Sequence, residues 1–207
     1  MKTFVVLLLG ALALVVGGCA TPVPKDYTLF NQHQPKSILV LPPVNNSTDV
    51  NASYSVLTTV TRPLAERGYY VVPVVMVDHF LKENGLALPA EMHDAPLDKL
   101  YQAFGADAVL YMTIDKYGSK YQVVSSNTYV FVTAKLVDSR TAQVIWEGVA
   151  QVSFGGQAGL IEAVVEQVMN KLVDQAHNVA AMASYQLVNE PGQGVPKGHR
   201  HPEHGQN

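Results

Sequence analysis

Side chains able to do chemistry are few in this chain and fall into a handful of groups. Cys19 is the single cysteine among 207 residues. Asp78-His79 and His93-Asp94 are adjacent acid–imidazole pairs. Such pairs serve as general acid and base, or as ligands of a divalent metal. His199, His201 and His204, with Glu203 among them, make a histidine-rich stretch near the C-terminus. Tracts of that kind hold Zn²⁺ or Ni²⁺ loosely, without a rigid site. Gly155-Gly156-Gln157-Ala158-Gly159 precedes an apolar periodic run, and a helix N-terminus there could receive an anion. It lacks Lys or Ser/Thr in a phosphate-cradling arrangement, so it reads as a flexible strand-to-helix joint. No P-loop, nucleophile elbow, H-E-x-x-H or dinucleotide fingerprint is written in the chain. A metal-dependent hydrolase would have to use His79, Asp78 and His93. The expectation is a protein that is not an enzyme and needs no metal or other dissociable cofactor.

The position of Cys19 is informative. Lys2 gives the start one positive charge, and Phe4 to Val16 carries no charged or polar side chain. That run is short for a membrane span, which needs about 20 apolar residues. A basic start, a short apolar core and small residues after it mark a secretory signal. Here the signal ends Val16-Gly17-Gly18-Cys19, which resembles a bacterial lipobox. The resemblance implies a diacylglycerol thioether on Cys19, cleavage between Gly18 and Cys19, and an acyl group on the new amino terminus. It also accounts for an unpaired cysteine in an exported chain, where cysteines ordinarily come in pairs. One acyl chain binds membranes only marginally, at about 0.8 kcal/mol per buried CH₂, whereas two or three hold a protein there durably. Ala20, in place of a retaining aspartate, implies sorting to the outer membrane with the domain facing the periplasm.

The elements that must carry these groups follow from composition and period. Hydrophobic residues make up 48% and charged residues 15%, with a net charge of −3. Without clustered Lys and Arg, nucleic acid is not an expected partner. Residues 1–18 are the signal and 19–35 a lipidated tether rich in proline. Residues 36–186 form one α/β domain, and 187–207 a disordered Gly/Pro/His-rich tail. At full stretch, a tether of about 15 residues reaches at most ~50 Å. Within the domain, Lys36–Val44 and Tyr69–Val74 read as strands. Helices are expected over residues 51–68 (Val56, Leu57, Val60 and Leu64 inward), 75–85 (Met76, Val77, Phe80 and Leu81 inward) and 96–105. Pro63 should kink or split the first helix, and residues 88–96 read as a loop.

From Ala106 the period becomes two. Ala108, Leu110, Met112 and Ile114 share one face, and Val109, Tyr111 and Thr113 the other. Turns are expected at Tyr117–Lys120 and at Asp138–Thr141, giving a three-strand antiparallel meander. In its third strand Val144, Trp146, Ala150, Val152 and Phe154 are assigned one face. Ser125-Ser126-Asn127-Thr128 marks an edge, a bulge or a docking surface. A long helix with a broad apolar stripe follows from Leu160. The fold class is α+β, close to α/β: a mixed sheet of about five strands ending in the meander and packed by helices, one of them long and C-terminal.

"FGADAVLYMTI" followed by "AKLVDSRTAQVIWEG" resembles a pattern of TolB amino-terminal-like domains, of the secretion lipoprotein CsgG, and of a lipoprotein that activates peptidoglycan synthases. "RPLAERGYYVVPV" with the lipobox resembles a lipoprotein family, domain of unknown function 799. The turn glycine usual there is Ala142 here. The resemblance spans roughly residues 36–185. The missing catalytic constellation, the broad helix stripe and the exposed strand edge point to a non-enzymatic module that binds envelope proteins, and the long helix or sheet edge suits a homodimer. The resemblance implies that the partners belong to a CsgG-like secretion or assembly system, among them CsgG-like lipoproteins, and leaves open a role as activator of a peptidoglycan synthase. Cys19→Ser should move the protein from the membrane to the soluble fraction, and mass spectrometry of the native chain should find a thioether-linked lipid on Cys19. An unmodified thiol on a soluble product would defeat the anchor.

Overall fold

The computed structural model describes residues 25–122, 125–156 and 175–205. The elements in order are α1 (Thr28–His33), β1 (Ser37–Val40), β2 (Val44–Asn45), α2 (Ala52–Glu66), β3 (Tyr70–Val71), α3 (Val74–Glu83), α4 (Pro89–His93), α5 (Leu97–Phe104), β4 (Ala108–Gln122), β5 (Ser125–Asp138), β6 (Val144–Gly156) and α6 (Gln175–Asn189). One six-stranded mixed sheet runs β3-β1-β4-β5-β6, with β2 also on β4. β1 is parallel to β3 and β4, whereas β4, β5 and β6 are antiparallel. A strand covered on both faces should be continuously apolar. Accordingly Ile38 and Val40 join the core under α2 and α6, while Leu39 and Leu41 join a second core under α3–α5. β4 splits the same way, with Ala108, Leu110, Met112 and Ile114 in the first core and Val109 and Tyr111 in the second.

α2 continues through Pro63, which is buried, so the helix is not split there. The missing N–H leaves one carbonyl without its helical donor, and the buried ring is packed in the core on α2's inner face. Two polar ties bind α2 to α6. The Tyr117 hydroxyl donates to Ser55 Oγ at 2.7 Å, Ser55 Oγ lies 2.8 Å from His177 Nδ1, and Thr59 Oγ1 lies 2.9 Å from Ser184 Oγ. Only Val77 and Leu81 of α3 are buried; Met76 and Phe80 are exposed. Phe80 instead meets Phe104 edge-on. Residues 89–93, expected as loop, form α4. Pro89 opens it, the Glu91 carboxylate accepts from the Ala87 and Leu88 N–H groups, and Met92 is fully buried.

Other expectations are corrected. Tyr117–Lys120 is not a turn: β4 continues to Gln122, which pairs with Ser125. The Ser125–Thr128 run therefore opens β5, a strand flanked by β4 and β6 rather than an edge, and Thr128 is buried. On β6 an irregularity between the pairs Leu136↔Trp146 and Val137↔Val144 puts Ile145 into the core beside Trp146. The extra residue of a bulge reverses the alternation beyond it, so Val144 leaves Trp146's face. Phe154 is half exposed. The C-terminal helix extends to Asn189, and the portion expected from Leu160 to Asp174 lies outside the described residues, as does the joint from Gln157.

Both terminal assignments change most. The 19–35 tether is folded from its Lys25 end: Phe30 of α1 is buried against Tyr69, and the Tyr27 hydroxyl donates to the Gly194 carbonyl at 2.8 Å. The 187–207 tail is a strap. Val195 is fully buried, Arg67 Nε donates to its carbonyl at 2.9 Å, and the Tyr69 hydroxyl donates to the Pro196 carbonyl. Its passage depends on Gly68, at φ +92°, where a Cβ would meet the His201 N–H nitrogen at 2.4 Å. At the β5–β6 turn the Asp138 carboxylate accepts from the Arg140 N–H, the Thr141 N–H and the Thr141 hydroxyl. The turn then closes through Ala142 at φ +58°. Left-handed backbone costs a non-glycine residue roughly 1–2 kcal/mol, partly offset by the entropy glycine loses on folding. Ala142→Gly should therefore stabilise the fold by about 0.5–1 kcal/mol, read as a rise in unfolding midpoint of roughly 2 °C.

Candidate functional site

The helices α3–α5 cover the outer face of the sheet as far as β4 and Val137 at the end of β5. Beyond them an open cleft of about 650 Å³ lies between the His93–Leu97 segment and the outward side chains of the meander. Tyr111, Lys135 and Glu147 form its floor. They sit side by side because the register places Tyr111 opposite Lys135 and Lys135 opposite Glu147. Lys135 Nζ lies over the Tyr111 ring, 5.3 Å from its centre. Burial raises the Tyr111 phenol above its ordinary pKa. At the wall, His93 meets the same ring edge-on at 5.3 Å. Its Nε2 is 3.0 Å from the Pro42 carbonyl, an acceptor only, so this nitrogen carries the proton. Desolvation, the largest influence, pushes the His93 pKa below 6.5; the Pro42 contact opposes it, and nearby Lys135 adds to it. The cleft thus offers the Lys135 cation, the carboxylates of Glu147 and Asp94, and an aromatic ring in a wide opening. Those are the means to hold a polar or aromatic surface.

Past the cleft the same face continues along β6 through Val149, which is 59% exposed; Phe154, 51% exposed, lies on the opposite face with Trp146 and Ala150. Among the described residues β6 has a strand neighbour on its β5 side alone. The N-terminal end of β6 is flanked by α1: His33 Nδ1 lies 3.0 Å from Asp138 Oδ2, and His33 Nε2 lies 3.0 Å from Gln143 Oε1. Burial by itself would raise the Asp138 pKa. The N–H and hydroxyl of Thr141, the Arg140 N–H and His33 together outweigh it, so the group is held below the usual carboxylate value.

The other sequence candidates are not assembled into one site. His79 pairs with Glu83 at 3.2 Å on the exposed side of α3, and Asp78 pairs with Lys82 at 2.7 Å. His93 turns to Pro42, and Asp94 lines the cleft. In the strap, the Glu203 N–H donates to His201 Nδ1, and His204 Nδ1 donates to the Lys197 carbonyl. His199 lines a small pocket beside Phe30. Among the described residues no three His, Cys, Asp or Glu side chains are grouped to hold a metal ion. Gly18 and Cys19 lie outside the described residues. Lys135 and Glu147 were not singled out from the sequence. The available signal was their opposition across the Asp138–Thr141 hairpin on its wetter face.

A family model described as "Putative lipoprotein GNA1162-like" matches residues 25–200. "Putative lipoprotein NMB1124/NMB1162" of Neisseria meningitidis serogroup B (strain ATCC BAA-335 / MC58) is 42% identical over 206 residues, spanning 94% of this chain and 95% of that one. The crystal structure of lipoprotein GNA1162 from Neisseria meningitidis superposes with a TM-score of 0.57 at 43% identity, covering 66% of this chain and 99% of that one. The chain belongs to the GNA1162-like family of lipoproteins. This supports the lipoprotein part of the resemblance and does not extend to the names domain of unknown function 799 or CsgG-like.

A buried imidazole with a depressed pKa favours the neutral form in the folded protein. Stability tied to His93 is therefore present above about pH 6.5, the ordinary imidazole value, and declines as pH falls through it. Thermal midpoints measured from pH 7.5 to 5 should decrease, and His93→Gln, which keeps a donor for Pro42, should flatten that decline. An identical slope in wild type and variant would refute the assignment.

Proposed function

We propose that this lipoprotein is an outer-membrane module, anchored through acylated Cys19 and facing the periplasm, that works by binding other envelope proteins without catalysis. The observation that carries the reading is the outer face and the outer edge of β6, which no other described residues cover beyond the cleft and α1. An unpaired strand edge offers a row of N–H and C=O groups to an incoming strand, and the side chains beside it select the partner. Soluble proteins usually guard such edges with lysine, proline or a covering element. From Val149 to Gly156 this strand carries neither lysine nor proline. The cleft at its base adds Lys135, Tyr111 and Glu147 as a polar anchor beside an apolar rim. Most energy in such interfaces comes from a few aromatic and apolar anchors, with charged groups setting orientation. The partner on this reading is an envelope protein of a CsgG-like secretion or assembly system, or a second copy of the chain.

A photo-crosslinker at Val149 in living cells should give a discrete adduct whose mass and peptide identity name the partner. Val149→Lys should abolish binding of the purified partner, at least about ten-fold, while leaving the unfolding midpoint within roughly 2 °C. The reading fails if the lipidated protein is abundant and no adduct forms at Val149. An adduct with a peptidoglycan synthase would replace the secretion partner while retaining the binding role.

A further inference from the structure

We propose that the domain lies directly on lipid headgroups by the end that carries Lys25, Trp146 and Gly194, with the open end of the β4–β6 meander pointing away from the bilayer. The proposal rests on anchorage at Cys19 and adds an orientation to it. Its basis is the number of residues between Cys19 and the first described residue, Lys25. Lys25 N–H donates to the Gly192 carbonyl at 3.4 Å, Lys25 Nζ lies 5.1 Å from the centre of the Trp146 ring, and Tyr27 is tied to Gly194. Lys25 is therefore fixed to the domain. Only about six residues separate it from the lipidated sulfur, which at full extension is at most ~20 Å. The longer tether expected from the sequence would have allowed any orientation; this one does not.

The sheet turns that restriction into a direction. Trp146 stands near the start of β6, which continues to Gly156 at its far end. At about 3.3 Å per residue, ten residues of strand put that end roughly 30 Å from Trp146. Asn127 and Gly155 are paired there. A domain tied by its Trp146 end within ~20 Å of the bilayer therefore presents the distal meander to the periplasm. The surface at the anchored end suits headgroups. Pro191 and Gly192 are exposed polar backbone, Leu29 of α1 is exposed, and Asp26 and Glu190 alternate with Lys25 and Lys36 rather than forming a field of one sign. Contact there is set by the leash and does not require anionic lipid.

Trp146 is the single tryptophan of the chain and a built-in reporter. The natively lipidated protein is reconstituted in phosphatidylethanolamine vesicles carrying a dansyl headgroup label, and energy transfer from Trp146 is measured. Transfer should be efficient, and should fall at least about two-fold when a Gly-Ser linker of about twelve residues, roughly 20 Å in r.m.s. length, is inserted between Pro24 and Lys25. A donor dye on Asn127→Cys should transfer less to lipid than one placed at Gly192→Cys. Equal transfer with and without the linker, or from Asn127 and Gly192 alike, would overturn the orientation. If mass spectrometry finds Cys19 unmodified, the anchoring fails separately. The same Trp146 measurement then proceeds with Cys19 coupled to a maleimide lipid, and the same outcomes apply.

Discussion

One carbonyl joins three distant parts of this chain. Gly194 accepts the Tyr27 hydroxyl at 2.8 Å and the Trp146 indole N–H at 3.1 Å, and the same indole N–H lies 3.0 Å from the Gln193 carbonyl. Buried donors of this kind must be paired, and each loss leaves a costly orphan. The Trp146 ring can lie flat here because residue 148 is glycine: a Cβ would meet the ring at 2.4 Å. Lys25 lies over the same ring. The first described residues, the third meander strand and the strap after α6 are consequently one packed unit. Both ends of the described chain are fastened by aromatic side chains of the domain, Trp146 and Tyr69 above all.

The asymmetry of the two sheet faces has a cause in connectivity. Parallel strands need crossover connections, and those connections bring helices that cover the sheet. β3, β1 and β4 are parallel neighbours. The chain between them supplies α2 on one face and α3–α5 on the other. β4, β5 and β6 follow one another as antiparallel neighbours, and the Asp138–Ala142 turn between β5 and β6 brings no helix. α6 then closes the inner face of β5 and β6, where Val130, Ala150 and Leu187 share a core. Among the described residues nothing in that order supplies a cover for the outer face beyond the cleft. The cleft and the exposed run along β6 are therefore a product of how the strands are linked, and the side chains on them are free to differ from a core.

Period carried the sequence reading where both faces were constrained. The alternation of Ala108–Ile114 and the apolar run of β1 could be read directly, because burial on a given face leaves little choice of residue. Turns were harder. Gly118 and its polar neighbours have the composition of a hairpin, yet the strand passes through them, Tyr117 being held in the core and Gly118 taking φ +120°. The bulge before Ile145 is invisible in composition, so simple alternation places Val144 on the wrong side. The order of the strap is hidden in the sequence for a related reason. Gly and Pro suggest disorder only when no other segment satisfies their backbone. Here Arg67, Tyr69 and Trp146, distant in sequence, supply the donors. The candidate site was barely legible, since Lys135 and Glu147 acquire meaning only through a register that pairs them.

An open edge on a protein confined to a surface differs from one in free solution. In solution an unguarded strand edge meets copies of itself in every orientation, and aggregation follows. On the proposed reading, lipid attachment fixes one end of each molecule to a plane, and the folded Lys25–Gln34 segment removes most of the slack. Neighbouring copies then meet with their β6 strands running in similar directions relative to the membrane normal. A rotation about that normal brings two such edges together parallel, whereas the sheet's own hairpins are antiparallel. Antiparallel pairing of two β6 edges would need one molecule inverted, which a leash of at most ~20 Å forbids. The anchor thereby restricts the geometry of self-pairing while leaving the edge accessible to a strand arriving from the periplasm, and an edge without lysine or proline becomes tolerable.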